Sequence, residues 1–201
     1  MYPNQIIQLL QSTPLEPRQF LRYSFGIDKL SPEEILEEEL NFSYGTKCVN
    51  LLSKLLGFRK QTIRSWGDNP HFWNMPKHSK IACIYAQIAL SQKELQRVSY
   101  EEYVAPRITA LEFIEATILN DSLPSKRIKI LTSTNFRGNC LKLLSETLAV
   151  SERTIYEWGR DIEFGNMPKY HEHTLAYALA ACCKRQNLTL NNNFLLNSSS
   201  P

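Results

Sequence analysis

The chain has 201 residues, 23 Lys/Arg against 20 Asp/Glu and a net charge of +3, room for one large domain or two small ones. At 43% hydrophobic and 21% charged it reads as globular rather than disordered, and no apolar run reaches the ~18–20 residues that span a bilayer. The stretch MYPNQIIQLLQS lacks a basic segment ahead of its short apolar run, so a cytoplasmic location is expected, and five cysteines, an odd number, exclude a disulfide framework.

In chain order, Ser31-Pro32-Glu33-Glu34 predicts a helix start: an N-cap, a proline in the first turn, then acids favoured by the helix dipole. The run EEILEEEL that follows is expected to be a solvated helix face. The segment NLLSKLLGFRKQTIRSW predicts two short helices about a tight turn. Gly57 supplies the turn conformation, and Ser53 is small enough for two helices to touch. Leu52, Leu56, Phe58, Ile63 and Trp66 form an apolar inner face. A proline-led helix then begins at PKHSKIACIYAQIAL, with Met75-Pro76 read as a hydrophobic staple and a helix start. The polar stretch at 90–104 marks the expected boundary, ITALEFIEATIL adds a helix, and the Asn/Ser-rich end past 189 is expected to be a flexible tail.

The pattern then repeats. TIRSWGDNPHFWNMPK at 62–77 returns as TIYEWGRDIEFGNMPK at 154–169, identical at nine of sixteen positions with a constant offset of 92. Upstream, KLLSETLAVSERTIYEW matches the first turn, with Ser145 for Ser53, Ala149 for Gly57, and Leu144, Leu148, Val150, Ile155 and Trp158 inside. Cys48 and Cys140 are equivalent and expected in the core. The expectation is an all-α chain of two tandem units of about 92 residues: 1–93 with a helix-turn-helix near 49–67, and 94–188 with another near 141–159.

On these residues, LAVSERTIYEWG resembles the turn and recognition helix of bacterial helix-turn-helix DNA-binding proteins. NMPKYHEHTLAYALA is similar to the proline-led fourth helix of the phage-repressor-like (Xre-type) family. The resemblance covers about 45 residues of each unit and implies that the second helix of each pair enters the major groove of double-stranded DNA. The residues it assigns to that face are Arg59, Lys60, Gln61, Thr62, Arg64 and Ser65 in the first unit and Ser151, Arg153, Thr154 and Tyr156 in the second, with Glu152 and Glu157 able to accept from cytosine. Lys77 and Lys169 are candidate phosphate contacts at helix starts. A bacterial nucleoid-associated location would follow.

The charge is uneven. Residues 46–92 carry seven Lys/Arg against Asp68 alone, a net +6, whereas residues 138–184 carry five against six acids, a net −1. Phosphate neutralisation dominates affinity for DNA, so the first unit should lead in binding and the second can instead face a protein partner. Trp66 and Trp158 are expected in the core rather than stacked on bases. His171, His173, Cys182 and Cys183 match no common zinc spacing, and no phosphate loop, nucleophile elbow or carboxylate set is present. No cofactor, metal or catalysis is expected. The role expected is transcription regulation or site recognition, including as an accessory factor of a mobile element, with a helical protein-interaction module as the competing class.

Overall fold

In the computed structural model, which describes residues 15–100, 103–119, 124–131 and 135–197, the regular elements are helices, and no strand occurs among the described residues. The all-α expectation holds. Helix α1 (Pro17–Phe25) has proline in its first turn and stops at Gly26, whose φ of 75° lets the Gly26 and Ile27 N–H groups donate back to the Tyr23 and Arg22 carbonyls. Helix α2 (Pro32–Leu40) opens on a capping box, with the Ser31 hydroxyl accepting from the Glu34 N–H and the Glu34 carboxylate accepting from the Ser31 N–H. None of its residues is buried, so its acidic face is solvated as its composition suggests. Of its acids, Glu39 alone turns inward, against Arg18 and Arg22 of α1, the Arg22 Nε lying 2.8 Å from its Oε1. Burial would raise the pKa of this carboxyl, but the two guanidiniums outweigh it and hold it at about 2.

Helices α3 (Phe42–Leu56), α4 (Lys60–Arg64), α5 (Lys77–Ala89) and α6 (Gln92–Tyr100) complete the first half. In the second half, α7 (Ala110–Ile114) runs into a π-helical turn at Glu115–Leu119, followed by α8 (Pro124–Leu131), α9 (Phe136–Leu148), α10 (Glu152–Tyr156) and α11 (Lys169–Asn197). Two segments depart from the sequence reading. Much of the polar stretch at 90–104 is helix α6, which buries Leu95 and Val98 against α1 and α3. These two apolar residues three apart make a narrow inner stripe that a polar average conceals. Residues 189–197, read as tail, continue α11, since no proline or glycine interrupts residues 170–197; the remaining tail residues, 198–201, lie outside the described residues.

The halves recur in local geometry at the offset of 92: α10 begins and ends 92 residues after α4, and α11 begins 92 residues after α5. They do not have separate cores. One continuous apolar cluster takes in Leu52, Ile63, Trp66 and Tyr85 from the first half and Leu144, Ile155, Trp158 and Tyr177 from the second. The α5–α11 packing is the most extensive between any two helices, and Tyr85 of α5 donates its hydroxyl to the Thr147 carbonyl of α9 at 3.0 Å. The two halves are therefore held against each other by a packed seam rather than by a tether.

Candidate nucleic-acid interface

Each turn is built by the same side-chain bond. The Ser53 hydroxyl donates to the Phe58 carbonyl at 2.6 Å, and the Ser145 hydroxyl donates to the Val150 carbonyl at 2.7 Å. The serines are thus not merely small where helices meet; they tie the turn shut. Gly57 takes φ 73°, and Ala149 takes φ 51° in the same left-handed region, where a side chain costs about 1 kcal/mol or more. Glycine has a second cause in the first half: a Cβ on Gly57 would sit 2.6 Å from the His173 ring, which α11 lays against the turn.

The residues assigned to the inner face are inside. Leu52, Leu56, Ile63 and Trp66 are buried in the first half, as are Leu144, Leu148, Ile155 and Trp158 in the second, while Phe58 and Val150 are half-buried. Trp66 and Trp158 are 5% and 7% exposed, which removes both from base stacking. The repeated Asn-Met-Pro-Lys forms the return from the short helix. The Asn74 and Asn166 N–H groups each donate to the preceding tryptophan carbonyl, of Trp66 and Trp158, at 2.9 Å. Phe72 and Phe164 adopt φ 47° and 49° with their rings buried, and their carbonyls accept from the Met75 and Met167 N–H groups. The apolar burial offsets that backbone strain. The staple reading needs correction: Pro76 is the N-cap, so the fourth helical residue is Lys80, and by the offset Glu172; neither is apolar. Met75 and Met167 instead anchor each return in the core.

The residues assigned to the outer face are all exposed: Arg59, Lys60, Gln61, Thr62, Arg64, Ser65 and Lys77, and Ser151, Arg153, Thr154, Tyr156 and Lys169. The two halves use them differently. Around α4, Arg59, Lys60, Arg64 and Lys77 form no ion pair among the described residues, and Ser65 is the exception in bonding its own helix, donating to the Thr62 carbonyl. Around α10 the polar groups are engaged with one another. Ser151 caps the helix by accepting from the Thr154 N–H, and Arg153 pairs with Glu157 at 3.8 Å. Tyr156 lies under the Arg137 guanidinium, 4.9 Å from its centroid. Arg137, which sequence reading missed, also donates to the Gly159 and Arg160 carbonyls at 2.5 and 2.8 Å and so ties α9 to the loop that follows α10. Its first-half counterpart is Gly45, so the offset alignment could have flagged the difference.

No family model, curated protein or solved structure matches this chain.

Lys77 and Lys169 occupy the first helical position of α5 and α11, the end where the dipole disfavours a cation. Helix stability does not account for them. Between the two turns lies a chain of rings. Trp66 meets Phe58 edge-on, Phe58 stacks on Tyr170 with centroids 4.5 Å apart, Tyr170 adjoins His171, and His171 adjoins Trp158. His171 is 1% exposed with its Nδ1 unpartnered, and burial, with a smaller contribution from His78, pushes its pKa down to about 3. Its neighbour His173 bonds the Pro106 carbonyl through Nδ1. These histidines belong to the seam.

Proposed function

We propose that the chain binds double-stranded DNA, chiefly through its first half, with α4 lying in the major groove. The observation that carries this reading is the split of α4 into two faces. Ile63 and Trp66 lock it into the core, while Arg59, Lys60, Gln61 and Arg64 stand outward with no ion pair to satisfy them among the described residues. Arginine can bind guanine bidentately and glutamine adenine, so this set suits direct readout. Lys77 at the start of α5 suits a phosphate. The role that fits is a transcription regulator or a site-recognition factor, including an accessory factor of a mobile element.

A second reading, that the second half serves a protein partner, is favoured by one observation. The outer face of α10 is occupied by its own Arg153–Glu157 pair and by the Arg137–Tyr156 contact, and it lies in a segment of net −1.

A salt-titrated binding measurement with duplex DNA tests the reading. Affinity should fall steeply with salt, and Arg59→Ala with Arg64→Ala should weaken binding and lower the slope by about 1 for each phosphate no longer neutralised. Binding indifferent to both changes would sink it. Because the halves are packed rather than tethered, duplexes selected from a random pool should carry either one motif or two at a single spacing. A pair of motifs at variable spacing would refute the rigid seam.

A further inference from the structure

The loop between α4 and α5 carries something the other half lacks. Phe72 points in and is fully buried, while the adjacent Trp73 points out and is 65% exposed. The Trp73 ring stacks on His71 with centroids 4.4 Å apart and planes 11° from parallel. The loop beneath is fixed by three backbone bonds: Phe72 N–H to the Asp68 carbonyl, Asn74 N–H to Trp66 and Met75 N–H to Phe72, each 2.9 Å. Two of these recur in the second half at 2.9 and 2.8 Å, where Gly165 replaces Trp73 and Glu163 replaces His71. The same return is thus built without the ring pair. Trp73 therefore does not hold the loop, and the fold leaves a large apolar side chain in water on a rigid support.

Its position says what would cover it. A Cβ built on Gly67, the residue after Trp66, would lie 3.5 Å from the Trp73 backbone nitrogen and 3.9 Å from its Cδ1, so the indole sits over the turn that ends α4. Exposed Arg59, Lys60, Arg64 and Lys77 come from the elements on either side, and Asp68 is the one acid in residues 46–92. A polyanion fits this setting; a basic partner surface has no matching charge here.

We propose that the Trp73–His71 ring pair is a DNA-contact site, packing on the deoxyribose-phosphate backbone beside the groove that α4 enters. This rests on the DNA-binding reading above. The contact adds affinity without adding charge, and because both rings are already ordered, little side-chain freedom is lost on binding.

The tryptophans provide the assay. Trp66 and Trp158 are buried, so Trp73 is the tryptophan open to acrylamide quenching. Adding a random-sequence duplex pool to the full chain should protect that quenchable fraction. Trp73→Ala should weaken duplex binding about three- to tenfold with the salt slope unchanged. His71→Ala should weaken it less, and Trp73→Phe should retain most of it. Quenching unchanged at saturating duplex, or Trp73→Ala binding like the unmodified chain, overturns the proposal while Arg59- and Arg64-dependent binding leaves the parent reading standing. Absence of any duplex binding removes both.

Discussion

Lowering the pH from about 7.5 to about 5 should cost the fold about 2 kcal/mol through His171 alone. The ring is 1% exposed, packed among Trp158, Tyr170 and His78, and its pKa is about 3 against an ordinary 6.5. A depressed histidine means that the unfolded chain binds the proton first. Stability is therefore complete above the unfolded value and declines as pH falls below it, at ~1.4 kcal/mol per unit, until the folded value is reached. About 1.5 units of that window lie above pH 5, which gives the 2 kcal/mol, or a fall of about 4–8 °C in melting temperature for a chain of this size. His78 and His173 are shifted down by burial as well and add in the same direction. Urea unfolding at both pH values, in the unmodified chain and in His171→Leu, isolates the term. The packing change made by leucine enters at both pH values and cancels in the difference, leaving the titration of His171. If the two proteins lose equal stability on acidification, the imidazole is not held neutral in the seam and the reasoning fails.

Two further outcomes can be checked by the same unfolding measurements. Gly57→Ala should destabilise by more than about 1 kcal/mol, since the methyl would meet both a left-handed backbone and the His173 ring, whereas Ala149→Gly should stabilise by about 0.5–1 kcal/mol by relieving strain at φ 51°; equal and small effects at the two sites would remove the assigned role of His173. Arg137→Gln should cost about 1–2 kcal/mol by freeing the Gly159 and Arg160 carbonyls and uncovering Tyr156, and an unchanged unfolding midpoint would show that water replaces the guanidinium without loss.

Helical periodicity and the offset of 92 made most of the local architecture legible. Ile63, Trp66, Ile155 and Trp158 are inside and the twelve residues assigned outward are exposed, because a helix that must bury one stripe leaves the rest in water. The capping box at Ser31 and Glu34 was readable for the same reason: its bonds span three residues. What escaped is what depends on distant chain. Gly57 explains itself as a turn residue, yet half its constraint is His173, 116 positions away. Tyr85 reads as one more apolar-face residue until its hydroxyl meets Thr147. In α6, the polar composition hid two buried apolar side chains, Leu95 and Val98, since an average over a segment cannot report so narrow a stripe.

The seam also permits the uneven charge of the halves. Equivalent residues face each other across it without equivalent partners: His78 stacks near Tyr170, Tyr85 bonds a backbone carbonyl, and its counterpart Tyr177 bonds the Tyr103 hydroxyl. On this geometry the second half has a task regardless of what its outer surface touches. Its α11 forms one wall of the common core and lays His173 into the turn that precedes α4. The demands of that task fall on Leu175, Tyr177, Ala178 and Ala181, all buried, and leave the outer face of α10 free of it. Acids can then occupy that outer face without loss to the fold, and the packing task of α11 is reason enough for the pattern to occur twice, whatever the basic face of the first half touches.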